Sequence, residues 1–153
     1  MSSSGPHTSP PQRRDDAAQA ARLRLTIMRL ARRLRRQTDD SLSPSLVSVL
    51  ASLDHHGPLA LGELATLERV KPPSITRMVA TLESQGLVRR QGDPVDGRVT
   101  MVDATADGRR TLQRIRTRKT AYLAQRLAAL SDADIAALSV ALNVLERLLE
   151  ADP

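Results

Sequence analysis

The fold is decided by residues 61–105, which read LGELATLERVKPPSITRMVATLESQGLVRRQGDPVDGRVTMVDAT. Within this stretch, four apolar residues at the spacing i, i+3, i+4 and i+7 predict a helix with one buried face. These residues are Ile75, Met78, Val79 and Leu82. Pro72 and Pro73 suit the first turn of that helix, where a missing N–H costs no helical bond, and Gly86 suits its end. A shorter helix and a turn precede it, so the stretch predicts a helix-turn-helix.

A basic hairpin is predicted after the longer helix. Its strands are residues 87–91, which include two arginines, and residues 99–103. The dipeptide Asp96-Gly97 between them is a typical hairpin-turn signal, and residues 59–61 are expected to add a short strand to the hairpin. A helix-turn-helix followed by a basic hairpin is a winged helix, whose usual partner is duplex DNA.

The polar face of the longer helix is expected to contact DNA. Ser74, Thr76 and Arg77 are the leading candidates, because hydroxyls and a guanidinium can reach phosphates and base edges in a major groove. Arg77 is the best candidate for base readout, since its fork can pair with guanine O6 and N7. Contacts to phosphate are expected from three further residues, Arg69, Lys71 and Thr81. The alternatives are an N-cap or first-turn hydroxyl for Ser74 and an exposed helical arginine without a DNA contact at position 77.

The flanking segments predict helices whose apolar faces need a partner. One helix is expected over residues 15–38, and another begins at Ser43-Pro44. After the hairpin, Thr105 is expected to cap a helix that runs to about Leu130, and Ser131 to cap a last helix. The last helix has one apolar stripe, formed by Ile135, Leu138, Leu142, Leu145 and Leu149. One small winged helix cannot cover all these faces, and the simplest partner is a second copy of the chain.

The predicted fold class is mainly α with a small β-wing, a winged helix-turn-helix with N- and C-terminal dimerisation helices. The chain divides into a flexible, Ser/Pro-rich tail at 1–14 and an N-terminal dimerisation helix at 15–43. The DNA-binding winged helix-turn-helix follows at 44–105, and the C-terminal dimerisation helices occupy 106–153.

The composition favours a polyanionic partner and excludes several other classes. The net charge is +6, and the chain has one tyrosine and no phenylalanine or tryptophan. The scarcity of aromatic rings argues against RNA or single strands bound by base stacking. The chain has no cysteine, which excludes disulfides, thiolate–zinc sites and thiol-based redox sensing. We expect no cofactor, and we expect a cytoplasmic protein without a membrane partner, since no signal-peptide or spanning segment is recognisable.

A resemblance to the MarR family of bacterial transcriptional regulators rests on ELATLERVKPPSITRMVATLESQGLVRR (63–90), DPVDGR (93–98) and TADGR (105–109). It covers nearly the whole chain after the first dozen residues. The turn at residues 68–71 departs from the family pattern because it lacks a glycine. The resemblance implies a homodimeric regulator, usually a repressor, that binds a pseudo-palindromic operator. It also implies a small effector, often a phenolic or lipophilic acid, bound between the dimerisation helices and the winged helix.

The resemblance assigns further roles in the wing. Arg98 matches the family arginine that enters the minor groove, where a narrow A·T-rich groove concentrates negative potential. Asp96 and Gly97 are expected to support the wing, with Asp96 bracing the hairpin or orienting Arg98 by a charge-assisted hydrogen bond. The alternative for this dipeptide is an ordinary turn. Arg90 is a further candidate DNA contact, and because it alternates with Arg89 along a strand, at most one of the two faces the DNA.

Three classes of function follow from these observations. A dimeric DNA-binding regulator is favoured by the motif and by the resemblance. A winged helix used for nonspecific chromosome binding or for protein–protein interaction is the alternative, and it predicts weak sequence discrimination with steep salt dependence. An enzyme is not expected, because the sequence has no nucleophile–base set, no phosphate-cradling glycine loop and no metal-ligand cluster.

Overall fold

The computed structural model describes residues 12–37, 42–92 and 99–150. These parts contain six helices and three strands, so the prediction of a mainly helical fold with a small sheet is confirmed. The elements in chain order are α1 (Gln12–Arg35), α2 (Pro44–His56), β1 (Leu59–Ala60), α3 (Leu61–Leu67), α4 (Pro72–Ser84), β2 (Val88–Gly92), β3 (Thr100–Ala104), α5 (Ala106–Leu127) and α6 (Asp132–Glu150). Helix α1 belongs to one compact unit, and the chain from residue 38 onward forms the other.

The core of the second unit lies between α2, α3, α4, the sheet and the first half of α5. Its fully buried side chains are aliphatic: Val49, Leu50, Leu53, Leu64, Ile75, Val79, Leu82, Val102, Leu112 and Ile115. Each contributes about 1.5–3 kcal/mol relative to an exposed position. The stripe predicted for the longer helix, now α4, is therefore the face that packs on this core.

Capping residues set the starts of α2, α5 and α6 and the end of α2. The Ser43 hydroxyl accepts from the Leu46 N–H at 3.4 Å and Pro44 opens α2, while Gly57 ends it with φ at +79°. The Thr105 hydroxyl accepts from the Gly108 N–H at 3.0 Å at the start of α5. At the start of α6, the Ser131 hydroxyl accepts from the Asp134 N–H at 3.1 Å and donates to the Asp134 carboxylate. The caps expected at Ser43, Thr105 and Ser131 are confirmed.

Three helix ends differ from the prediction. Helix α1 spans Gln12–Arg35 rather than 15–38, because Gln12 and the two residues after it, strong helix formers, extend it into the predicted tail. Helix α5 ends at Leu127 rather than near Leu130, since residues 128–130 form the turn that leads to the Ser131 cap. The rest of the predicted tail, residues 1–11, lies outside the described residues.

The sheet is antiparallel, with the strand order β1-β3-β2. The strands predicted at 87–91 and 99–103 are each found one residue later, and Leu59–Ala60 adds the expected short strand. In the observed register Arg89 lies opposite Asp103, and Arg90 opposite Val102. Because side chains alternate along a strand, Arg89 and Asp103 share one face of the sheet and Arg90 lies on the other.

The first turn of α5 packs directly on the backbone that follows α4. The Thr105 N–H donates to the Leu87 carbonyl at 3.0 Å, and the Thr105 hydroxyl donates to the Gly86 carbonyl at 2.6 Å. A Cβ added to Gly108 would lie 2.1 Å from the Leu87 carbonyl oxygen, so a side chain at this position has no space. These contacts hold the first turn of α5 directly against the backbone of Gly86 and Leu87.

Three stretches in and next to the helices leave their apolar side chains exposed. Helix α6 buries none of its residues, and Leu142 and Leu149 are 47% and 80% exposed. Leu127 and Leu130, at and just beyond the end of α5, are also exposed. In the separate unit of α1, an apolar set is exposed: Leu25, Ile27, Met28 and Leu30. Among the helices that the structure describes, none combines the length and apolar character needed to cross a membrane.

Candidate nucleic-acid interface

Helix α4 presents a polar face because its apolar stripe is buried. Ile75, Val79 and Leu82 point into the core, which leaves the predicted contact residues in solvent: Ser74, Thr76, Arg77 and Thr81. Pro72 is the first helical residue, as expected, and Lys71 occupies the N-cap position. Ser74, the third residue of α4, is therefore a first-turn residue and not the N-cap.

The four exposed residues of α4 do not form a single row. Ser74, Arg77 and Thr81 follow an i, i+3, i+7 spacing and share one stripe of the helix surface. Thr76 comes two residues after Ser74, which places it about 200° further around the axis at roughly 100° per residue. The structure thus brings three of the predicted contacts together and sets Thr76 apart from them.

The hydroxyl groups on α4 differ in whether their proton is already used. Thr76 donates to the Pro72 carbonyl at 2.9 Å, and Thr81 donates to the Arg77 carbonyl at 3.0 Å. A hydroxyl has one proton and phosphate oxygens only accept, so both threonines must rotate before they can donate to a phosphate. The Ser74 hydroxyl and the Arg77 guanidinium have no hydrogen-bond or ion-pair partner among the described residues. These two side chains are the donors that α4 offers without rearrangement.

The turn between α3 and α4 keeps its geometry without a glycine. Arg69 adopts φ of +53°, in the left-handed region that glycine usually occupies, at a cost of about 1–2 kcal/mol. Two bonds stabilise the turn: the Val70 N–H donates to the Ala65 carbonyl at 3.0 Å, and the Ser52 hydroxyl donates to the Glu68 carboxylate at 2.5 Å. The side chains of Arg69 and Lys71 are exposed beside the start of α4.

The wing arginines are held by carboxylates in different elements. The Arg90 Nε lies 3.2 Å from the Glu83 carboxylate of α4, and the Arg90 side chain is only 33% exposed. The Arg89 guanidinium lies 3.0 Å from the Asp103 carboxylate, and its side chain is 61% exposed. The guanidinium of Arg90 is thus partly engaged by α4. The three residues expected at the tip of the wing, Asp96, Gly97 and Arg98, lie outside the described residues.

A buried carboxylate at the base of the wing was not anticipated from the sequence. The Asp103 side chain is 7% exposed, and its second oxygen accepts from the Arg109 guanidinium at 2.9 Å. The Asp54 carboxylate of α2 lies 3.9 Å from Arg109 and 2.9 Å from Arg116. We call these five residues, three arginines and two aspartates, the wing-base network. The one available signal was an aspartate between Val102 and Ala104 in a predicted strand.

Comparison with known proteins identifies the group to which this winged helix belongs. The MarR family model matches residues 42–100. An HTH-type transcriptional regulator from Mycobacterium tuberculosis is 37% identical over 139 residues, which cover 90% of this chain and 97% of that protein. The chain belongs to the MarR family.

Two further comparisons concern a solved structure of this fold and a relative that is a repressor. The solved structure of a MarR family protein from Bacillus stearothermophilus is 25% identical, with a TM-score of 0.77, over 92% of this chain and 99% of that one. The HTH-type transcriptional repressor MdtR of Bacillus subtilis is 31% identical over 94 residues, 61% of each chain. This MarR-family protein is accordingly a transcriptional regulator and not an enzyme.

Proposed function

We propose that this MarR-family protein is a homodimeric repressor that binds a specific site in double-stranded DNA and is released by a small-molecule effector. The observation that carries the proposal is the stripe of Ser74, Arg77 and Thr81 on α4, exposed on a helix whose opposite face is fixed in the core. A rigid helix with outward donors is the element that winged helices place in a major groove. Since the target is the bacterial chromosome, the site of action is the cytoplasm.

The contacts divide into base readout and phosphate binding. Arg77 supplies base readout, because its guanidinium, which has no partner among the described residues, can bind a guanine edge with two parallel bonds. Ser74 contacts a phosphate or a base edge, and Arg69 and Lys71, which precede α4, contact phosphates beside its first turn. Thr76 and Thr81 contribute after their hydroxyls rotate away from the helix carbonyls. In the wing, Arg90 contacts the duplex and Arg98 enters the minor groove.

The uncovered apolar helices support the homodimer. Helix α6 and the end of α5 expose leucines that a second copy would cover, and α1 offers an apolar face of its own. In a two-fold dimer the two α4 helices enter successive major grooves, about 34 Å apart along the duplex. The operator is therefore a pseudo-palindrome, and repression is steric where it overlaps a promoter. The repressor MdtR among the relatives supports this mode of action.

The effector part of the proposal depends on the spacing of the two α4 helices. A phenolic or lipophilic acid releases the protein from DNA only if it binds better to the dimer whose helices are wrongly spaced. The ligand then shifts the population of dimers away from the DNA-binding spacing. Sequence resemblance to the family supports an acid of this type.

The test is a footprint on the DNA upstream of the protein's own gene, with excess nonspecific competitor. We expect a protected pseudo-palindrome with half-sites about 10 base pairs apart. Titration of aromatic acids such as salicylate then tests the release step. Diffuse binding that disappears with competitor, both here and in a genome-wide selection of bound fragments, would favour nonspecific chromosome binding and contradict the proposal.

A further inference from the structure

We propose that Asp103 is a positioning residue for DNA binding, because its carboxylate fixes the two wing strands β2 and β3 to helix α5. The proposal rests on the proposed function, since it assumes that the wing takes part in DNA binding. Asp103 itself is buried and negatively charged, so it is not a DNA contact. It acts through the position of the strands that hold the wing.

Asp103 is the one charged or polar residue in the buried set of the described chain. A buried carboxylate is costly unless charged donors satisfy it. Each oxygen of Asp103 accepts one bond: Oδ2 accepts from Arg89 at 3.0 Å, and Oδ1 accepts from Arg109 at 2.9 Å. Because the two guanidiniums belong to β2 and α5, a single carboxylate joins a wing strand to a helix.

A second carboxylate, that of Asp54, connects α5 to α2. Asp54 lies 2.9 Å from the guanidinium of Arg116, one of two α5 arginines that it contacts. The wing-base network therefore alternates positive and negative groups across β2, β3, α5 and α2. Each arginine lies beside at least one carboxylate, so the loss of Asp103 leaves Arg89 without its partner and weakens the hold on Arg109.

The apolar packing of the wing strands is confined to their base. Val88, Val102 and Ala104 are buried, whereas residues 89–92 of β2 and Thr100 of β3 are exposed. These exposed ends of the two strands lie outside the core. Asp103 lies within the packed base, between Val102 and Ala104, and pairs with Arg89, the first exposed residue of β2. Charge-assisted bonds on both of its oxygens restrict movement of β2 at the point where its own apolar packing ends.

The proposal predicts that removing the negative charge of Asp103 weakens DNA binding, whereas the loss of charge alone would strengthen it. Asp103→Asn removes a negative charge from a DNA-binding protein, and that change alone favours binding. If Asp103 positions the wing, the variant instead binds the footprinted operator roughly 2- to 30-fold more weakly. The matched control is Asp107→Asn on the first turn of α5, which removes the same charge from an exposed aspartate paired with Arg110. This control should bind as tightly as the original protein or more tightly.

A second matched pair separates the loss of a network contact from the loss of positive charge. Arg109→Gln removes one of the two guanidiniums bonded to the Asp103 carboxylate. Arg110→Gln removes the same charge from the next residue, which pairs with Asp107 instead. Arg109→Gln should weaken operator binding more than Arg110→Gln does. This comparison of two arginine variants still tests the proposal if Asp103→Asn fails to fold. Equal losses in the two variants would overturn the proposal.

A distance measurement without DNA tests whether Asp103 fixes the wing strands to α5. Because the chain has no cysteine, nitroxide labels can be attached only at cysteines introduced for the purpose. Gln91 in β2 and Gln113 in α5 are both exposed and suit this pair of labels. The distance distribution should broaden in Asp103→Asn and keep its width in Asp107→Asn. An unchanged width, or unchanged or tighter operator binding by Asp103→Asn, would overturn the proposal.

Failure of the proposed function can be distinguished from failure of the Asp103 proposal. If the original protein protects no operator, the regulator proposal fails, while the label distances still decide whether Asp103 holds β2 to α5. A merely structural Asp103 would lower the midpoint of thermal unfolding, yet the folded variant would keep its operator affinity and its label distances.

Discussion

At the scale of single residues, the exposed face of α4 differs in what each side chain can still donate. The Thr76 and Thr81 hydroxyls are bonded to carbonyls of their own helix, whereas Ser74 and Arg77 have no partner in the described chain. A free guanidinium loses only water on binding DNA, while a bonded hydroxyl must first give up its bond. Arg77 should therefore contribute more to operator binding than either threonine.

We expect Arg77→Ala to weaken binding at the specific operator by about 1–3 kcal/mol and to relax discrimination at one base pair. The matched control is Arg114→Ala, which removes the same charge from an exposed arginine of α5. Binding titrations on the operator and on single-base variants would measure both effects. An Arg77→Ala profile that matches that of Arg114→Ala would contradict the base-readout assignment.

The positions of the α4 residues could be predicted from the sequence, but their bonding could not. The i, i+3, i+4, i+7 spacing of Ile75, Met78, Val79 and Leu82 decides which face is buried, and so which residues face solvent. Whether a threonine hydroxyl turns to its own helix depends on a rotamer that the spacing does not encode. The sequence therefore identified Thr76 as a contact candidate without revealing that its proton is in use.

At the scale of elements, the joint between α4 and α5 depends on a position without a side chain. A Cβ added at residue 108 would lie only 2.1 Å from the carbonyl oxygen of Leu87. We expect Gly108→Ala to lower the free energy of unfolding by about 1–3 kcal/mol or more, because backbone must move to admit the methyl group. Urea denaturation would measure the change.

Gly62 provides the control for this substitution. It lies in α3, and an added Cβ would have no heavy atom within 4 Å. Gly62→Ala should raise the free energy of unfolding by up to about 1 kcal/mol, since alanine favours helix over glycine. Equal effects at the two glycines would show that the close approach at Gly108 does not constrain the joint.

The helices could be predicted more completely than the wing-base network. Caps and apolar spacing are local signals, and they located Ser43, Thr105 and Ser131 correctly. The partners of Asp103, in contrast, meet through the register of the sheet. A two-residue turn at Asp96-Gly97 would place Arg90 opposite Asp103, whereas the observed register pairs Asp103 with Arg89. A shift of one residue moves a side chain to the other face, so the turn signal alone could not identify this pair.

At the scale of the whole molecule, the exposed leucines of α6 indicate where a second copy packs. We expect Leu142→Glu to raise the dimer dissociation constant about 30-fold or more, because a buried charge at an apolar interface costs about 2 kcal/mol or more. Asn143→Glu is the matched control, since the next residue faces the polar side of the same helix. Light scattering across a concentration series would report the fraction of monomer.

The two variants of α6 also separate the dimer from general stability. Neither position is buried in the single chain, so both variants should keep the helical signal of the original protein. Dimers of equal strength in both variants would contradict the assignment of the Leu142 face to the interface. Loss of the dimer only in Leu142→Glu should be accompanied by loss of the two-half-site footprint, since one winged helix then binds alone.

The left-handed conformation of Arg69 has a consequence for the tolerance of this position to mutation. A library with every amino acid at position 69 can be sorted twice, once for folded protein and once for operator binding. Sorting for folding should enrich glycine and asparagine, which adopt a positive φ at low cost. Sorting for binding should enrich arginine and lysine, which keep a cation beside the duplex. Position 69 would then be a site at which selection for folding and selection for activity favour different amino acids.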